Sequence, residues 1–236
     1  MLALSARMRL RTLLLALISF FAFIIYALTA QKTVPGGDSG ELIAAAHLFG
    51  VAHPPGYPLY TFLAGVWSHI LPWGSVAFKV NLFSGLCDAF AAGVLSLAVY
   101  EWSKKIWPAV FAGALFAFSP LVWRYATIAE VFALNNLFVA LLIYFCTRFS
   151  FVLSEKDAQM RIWRFFLFFS FFSGLALTNH HTFLFVAVPC VLWMFLISGS
   201  LKNLSVKKLI MIAIAGLAGF LPYFYLVWAD RRDAFV

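Results

Sequence analysis

LLLALISFFAFIIYALTA, residues 13–30, runs eighteen positions without a single charge. One helical crossing of a bilayer takes about 20 apolar residues, and this stretch is of that kind. The rest of the chain agrees with it. Of 236 residues, 64% are hydrophobic and 11% charged, and the mean hydropathy is +0.95. A soluble domain is typically about 45–50% apolar and about 25% charged. This composition has too little polar surface to cover a water-soluble core, and it excludes disordered, collagen-like and coiled-coil classes as well. The expected fold class is all-α: a polytopic helical membrane protein.

Apolar runs bounded by charges or turn residues predict seven spans, at 13–30, 78–100, 107–123, 130–147, 163–178, 181–198 and 208–228. Residues 31–77 form the long first loop, expected to carry a short helix. Segment 59–72, between Pro58 and Pro72, is too short to cross and reads as a re-entrant or interfacial piece. Loop 148–164, with Glu155, Lys156, Asp157 and Arg161, is expected to be aqueous. Residues 1–228 read as one membrane module and 229–236 as a divergent tail. Arg7–Arg11 before an apolar run also fits a signal peptide, but Leu28-Thr29-Ala30 is a poor cleavage site, so a retained first helix is expected. Cys87, Cys146 and Cys190 lie in apolar stretches and read as packing residues.

The formal net charge is +8. In a soluble chain that would raise nucleic acid as a partner; here the distribution of the charge matters more. With the N-terminus in the cytoplasm, twelve Lys and Arg fall on the cytoplasmic side. Five fall on the other: Lys32, Lys79, Arg124, Arg231 and Arg232. This positive-inside bias places residues 31–77 outside the cytosol. It also hides the sequon Asn203-Leu204-Ser205 on the cytoplasmic side.

On the non-cytoplasmic face the sequence gathers acids, bases and hydrogen-bonding groups. Asp38 and Glu41 follow Pro35-Gly36-Gly37; His47, His53 and Tyr57 come next; Arg124 and Glu130 flank a turn; Asn179-His180-His181 forms another. Asp38 and Glu41 also have the spacing of a capping box on a helix over 39–50, and a helix start is a natural phosphate site. His53-Pro-Pro-Gly-Tyr57-Pro reads as a rigid turn. Glu130 suits a helix start electrostatically, and Arg124 suits an interfacial snorkel. The five histidines show no metal-ligand spacing, so no metal is expected. Asp88 shares a stripe with Asn81 and Ser84 at helical spacing and is expected to face the bundle. Interhelical hydrogen bonding is its expected role, a proton relay the alternative.

PGGDSGELIAAAHLFGVAHPPGYPLYTFL (35–63), AEVFALNNLFVALL (129–142), GLALTNHHT (174–182) and GFLPYFYL (219–226) resemble, in order and spacing, the transmembrane protein 260 family of protein O-mannosyltransferases. The resemblance implies a GT-C-type polytopic glycosyltransferase of the endoplasmic reticulum membrane, with dolichyl-phosphate mannose as donor. Its implied acceptors are Ser/Thr of IPT domains in plexin- and hepatocyte-growth-factor-receptor-like proteins. No cofactor is implied. By motif position Asp38 is the implied catalytic base, with Glu41 as its partner. His53, Tyr57, Arg124, Glu130, Asn179 and His181 are the candidates for holding substrate. His180 stands where the family pattern is expected to carry Gln, so no role is carried onto it. The likeness ends near Leu226, and family members continue past this point, so the chain is expected to lack the family's C-terminal part. Two other classes stay open: a transporter or scramblase of lipid-linked sugar coupled through Asp88, and a non-catalytic subunit of a glycosylation complex.

Overall fold

The computed structural model describes residues 2–154, 158–200 and 205–231. Glu155, Lys156 and Asp157 of the expected loop, Lys202, Asn203 and Leu204, and residues 232–236 of the expected tail lie outside them. Among the described residues the regular structure is helical, with no strand.

The first helix, α1 (Leu2–Thr29), leads into two short helices, α2 (Ser39–Leu48) and α3 (Pro58–Ile70). The long α4 (Val76–Ser103) follows, then α5 (Ile106–Ala117), α6 (Pro120–Ala126), α7 (Val131–Val152) and α8 (Ala158–Leu177). A 3₁₀ turn (His181–Phe183) opens α9 (Leu184–Ser198), and α10 (Val206–Gly219) and α11 (Tyr223–Asp230) follow. Five helices are long and apolar enough to cross a membrane, and two bent pairs bring the total to seven if each pair is one span. Large apolar side chains stand fully outward, among them Trp107, Phe185 and Phe224. Such surface belongs against lipid rather than water. The chain is a multi-pass membrane protein.

Helix α4 is the hub. It packs against α1, α2, α3, α5, α6 and α7, and its stripe of Asn81, Ser84 and Asp88 is wholly buried, as the spacing predicts. Each of the three is committed to a different neighbour. Asn81 Nδ2 donates to the carbonyls of Gln31 (2.8 Å) and Thr33 (3.3 Å), tying down the chain after α1. Ser84 Oγ accepts from the backbone N–H of Glu130 at 3.3 Å and pairs with the Tyr60 hydroxyl at 3.2 Å. Asp88 Oδ1 accepts from Asn136 Nδ2 of α7 at 2.9 Å. Small residues let the backbones approach. A Cβ on Gly93 would meet the Leu15 carbonyl at 2.8 Å, and one on Gly174 would meet the Gly216 carbonyl at 2.1 Å. Close seams of this kind hold helices together where lipid offers no hydrophobic drive.

The structure corrects the sequence expectations at four places. Span 107–123 is not one straight helix: α5 and α6 meet at 63°, because Pro120 lacks an N–H and starts a new helix after the extended Ser119. The carbonyl of Ala117 freed at this break accepts from the Tyr26 hydroxyl at 2.7 Å. Span 208–228 is likewise divided into α10 and α11, bent by 40° around Pro222. The expected loop 148–164 is mostly helix, since α7 runs to Val152 and α8 begins at Ala158; charges mark where apolar surface ends, and a helix can continue beyond that. Finally, α2 begins where the capping box predicts, but Asp38 makes no side-chain capping bond, and Glu41 is engaged elsewhere.

The Asp88 contact gives a test. Asn136→Leu strands a buried carboxyl without its donor, and a lost partner of this kind costs about 1–3 kcal/mol. The midpoint of thermal unfolding in detergent should fall accordingly, whereas Asp88→Asn, which keeps an acceptor facing Asn136, should lower it much less.

Candidate active site

The candidate residues lie where the end of α1, the α2–α3 hairpin and the starts of α4 and α7 come together. Gly37 (φ +76°) turns the chain into α2. A Cβ at Gly36 or Gly37 would meet nothing within 4 Å, so the protein leaves the approach to the start of α2 open. Helix α2 lies tightly on α3, because a Cβ at Gly65 would meet the Ala46 carbonyl at 2.5 Å. Phe49 ends α2 in the left-handed conformation, sending the chain back across its own first turn. Trp67 Nε1 donates to the Lys79 carbonyl at 3.0 Å, fixing α3 on α4, and Ser75 Oγ donates to the Lys32 carbonyl at 2.8 Å, tying the start of α4 to the chain after α1.

This return brings His53 onto Glu41. The Glu41 carboxylate accepts from the His53 backbone N–H and, at 2.9 Å, from His53 Nδ1. A carboxylate only accepts, so a proton sits on Nδ1. The Tyr57 hydroxyl pairs with the other ring nitrogen, Nε2, at 3.3 Å. Tyr57, itself left-handed at φ 42°, stacks on His180 with ring centroids 6.1 Å apart and planes 7° apart. The result is a relay of contacts, Glu41 to His53 to Tyr57 to His180, joining the first loop to the end of α8.

Two more acids face this row. Asp38 is exposed, and its carboxylate has no hydrogen bond or ion pair among the described residues. Glu130 is nearly buried at 9% exposure. Burial, then the negative charge of Asp38, pushes its carboxyl above the ordinary range, and His53 pulls partly the other way. Burial raises Tyr57 too, helped by Asp38, Glu130 and Glu41. Three carboxylates therefore act on one phenol, and the field here is strongly negative.

The remaining candidates sit differently. Asn179 is 1% exposed, and its Nδ2 donates to the Val131 carbonyl at 3.2 Å. Its amide braces the start of α7, next to Glu130. Arg124 is exposed and lies over the Tyr125 ring, 5.9 Å from its centroid; it has no ion pair among the described residues. Tyr125 packs on Phe132, and Phe132 on His180. His181 is exposed on the 3₁₀ turn, whereas His180 faces the cluster, with Nδ1 2.6 Å from the Thr182 hydroxyl. The sequence offered two adjacent histidines with nothing to separate them; the 3₁₀ turn aims them apart. Ser84 and Tyr60, which anchor Glu130, were visible only as a polar stripe and a loop aromatic. Among the described residues no three His, Cys, Asp or Glu side chains are grouped to hold a metal.

Two hollows adjoin the row. One of about 450 Å³ is bounded by Glu41, His53 and the 54–56 turn, with Leu226 of α11 as its far wall. The other, about 680 Å³ and almost wholly apolar, runs from Pro58 and Phe62 of α3 past Phe171 to Phe224 and Trp228 of α11.

Burial, then His181, holds the His180 ring below its ordinary pKa of 6.5. The unfolded chain therefore binds this proton at higher pH than the folded chain does, and stability is lost as pH falls through the ordinary imidazole range. The unfolding midpoint should drop between about pH 7 and about pH 6, and His180→Gln should remove part of that drop.

Residues 38–205 match the family model described as the protein O-mannosyl-transferase TMEM260 N-terminal domain. The chain is 41% identical over 202 residues to protein O-mannosyl-transferase TMEM260 of Mus musculus, covering 86% of this chain and 28% of the relative. It is 38% identical over 210 residues to protein O-mannosyl-transferase tmem260 of Dictyostelium discoideum, covering 86% of this chain and 26% of that one. The chain thus spans about a quarter of the length of these curated relatives. No solved structure matches it. With the family model covering 38–205, the acid-bearing start of α2 through the end of α9, this chain belongs to the TMEM260 family by its N-terminal domain.

Proposed function

We propose that this chain forms the donor-binding membrane module of a protein O-mannosyltransferase, with Asp38 as the general base. One observation supports this above the others: Asp38 is an exposed, unpartnered carboxylate at an uncapped helix start, beside a second carboxylate that is already committed to His53. A base must have a free lone pair and access to its substrate; Asp38 is the more exposed of the two and has neither oxygen engaged among the described residues, whereas both Glu41 oxygens accept from His53.

In the proposed reaction the hydroxyl of an acceptor Ser or Thr gives its proton to Asp38 as its oxygen attacks C1 of mannose. The C1–O bond to phosphate breaks, dolichyl phosphate leaves with the bonding electrons, and the anomeric configuration inverts. The leaving phosphate needs charge stabilisation more than a proton. The N–H groups at the start of α2 supply it, with Arg124 as the accompanying cation. Glu130, nearly buried at the start of α7, accepts from a sugar hydroxyl. Tyr57 and His180 offer a flat face for the sugar ring. The apolar groove from Phe62 to Trp228 takes the polyprenyl chain, as its lining suits hydrocarbon. The module belongs in the endoplasmic reticulum membrane with residues 31–77 in the lumen, and its acceptors are IPT domains. The transporter alternative rests on Asp88, which is wholly buried and bonded to Asn136, an arrangement that suits a structural role.

The test is transfer of labelled mannose from dolichyl-phosphate mannose to a purified IPT domain by the full-length protein. Asp38→Asn should lower turnover by about 10²–10⁴ with the unfolding midpoint unchanged; undiminished turnover overturns the assignment. Glu41→Gln should reduce turnover less, by loosening His53. Cysteine labelling that finds residues 35–58 facing the cytosol also overturns it.

A further inference from the structure

At the end of the bundle opposite the candidate active site, three arginines from three helices surround one cavity of about 460 Å³. Arg11 comes from α1, Arg148 from α7 and Arg164 from α8, and Phe145, Phe165 and Phe168 form the wall between them. Along α7, eighteen residues separate Arg148 from Glu130, or about 27 Å at 1.5 Å per residue. That is close to the hydrocarbon thickness of a bilayer, about 30 Å, so the two sites belong to opposite membrane faces.

Among the described residues the charges at this end are unbalanced. Glu101, 4% exposed, is bonded to Arg11 and, at 3.1 Å, to Lys104. It offsets one cation. Arg148 and Arg164 have no hydrogen bond or ion pair among the described residues. Two unpaired guanidiniums on one cavity repel each other, and each presents a planar fork suited to phosphate oxygens. Depth along the helices is ordered as well. Phe168 lies one turn deeper than Arg164 on α8, and Tyr144 one turn deeper than Arg148 on α7, so cations rim the cavity and aromatic rings continue inward. Phe145 and Phe168 meet edge to face, with centroids 4.9 Å apart, giving a continuous apolar wall that Phe168 shares with the outside of the bundle.

We infer that this cavity binds the phosphate of an anionic phospholipid headgroup, for which phosphatidic acid is the probe. Arg148 and Arg164 grip the phosphate, Arg11 flanks it, and the first part of an acyl chain lies against the phenyl wall. A free phosphate would use only the rim; the cation-to-aromatic order matches an amphiphile. The inference does not depend on Asp38 or on mannose transfer.

The experiment is native mass spectrometry of the purified chain in detergent, with phosphatidic acid and phosphatidylcholine of identical acyl chains in competition. Phosphatidic acid should be retained about 25-fold or more in preference. Near a membrane surface each basic side chain is worth about fivefold in anionic lipid affinity, so R148Q/R164Q should lower phosphatidic acid retention about 25-fold and leave phosphatidylcholine unchanged. Lys105→Gln, exposed at the same end but off the cavity, should change retention less than twofold. Equal retention of the two lipids, no loss in R148Q/R164Q, or an equal loss in Lys105→Gln overturns the site. Displacement of the lipid by millimolar sn-glycerol 3-phosphate overturns the lipid assignment in favour of a soluble phosphate. If the double variant does not fold, R164Q alone, altering an exposed side chain, should lose about fivefold, and undiminished retention there overturns the site equally.

Discussion

A polar side chain on a membrane helix must find its hydrogen bonds inside the protein, and in this chain that demand is concentrated on one face of α4. Asn81, Ser84 and Asp88 have no solvent to turn to. Asn81 captures the chain leaving α1, Ser84 captures the start of α7, and Asp88 holds the second turn of α7 through Asn136. Unmet polar groups in hydrocarbon cost several kcal/mol each. One helix face therefore sets the register of two neighbours and the path of the first loop. The acidic cluster inherits its geometry from this: Glu130 is where it is because Ser84 and Asn179 hold the backbone on either side of it.

Much of this was legible in the residues. The apolar runs gave the crossings, and the 3.6-residue spacing of Asn81, Ser84 and Asp88 gave the buried stripe. What escaped depended on distance along the chain. Glu41 at three residues from Asp38 looked like a local cap, yet its partner is His53, twelve positions on, delivered by the reversal at Phe49. Local spacing cannot rank a nearby backbone N–H against a tertiary imidazole. The prolines at 120 and 222 were in plain view, but hydropathy stays high across both, so a measure of apolarity saw continuity where backbone geometry has a break. Arg148 and Arg164 were read as loop residues because charge was taken to end the helix. Helical backbone satisfies its own hydrogen bonds and continues until a capping or steric signal stops it.

The site itself divides into a rigid part and a free part. Glu41, His53, Tyr57 and His180 are mutually engaged, and Asn179 is locked beneath them. Of the three acids of the site, Asp38 is the one left exposed with no hydrogen bond among the described residues. Such a division suits a reaction in which one group must accept a proton while its surroundings keep their shape. Membership of the TMEM260 family gives this arrangement its chemical context, and the proposed chemistry follows from which carboxylate is unoccupied.

Helix α11 has a bearing on how stiff that surrounding is. Leu226 rests against Gly56, where even a methyl group would collide at 2.8 Å, and the Tyr225 hydroxyl donates to the Gly50 carbonyl at 2.9 Å. These two contacts clamp both ends of the short arch that carries His53. The arch is thus splinted by a helix more than 160 positions away in the chain. A torque on α11 would reach this arch through Leu226 and Gly56, so a late helix holds a mechanical lever on an early turn.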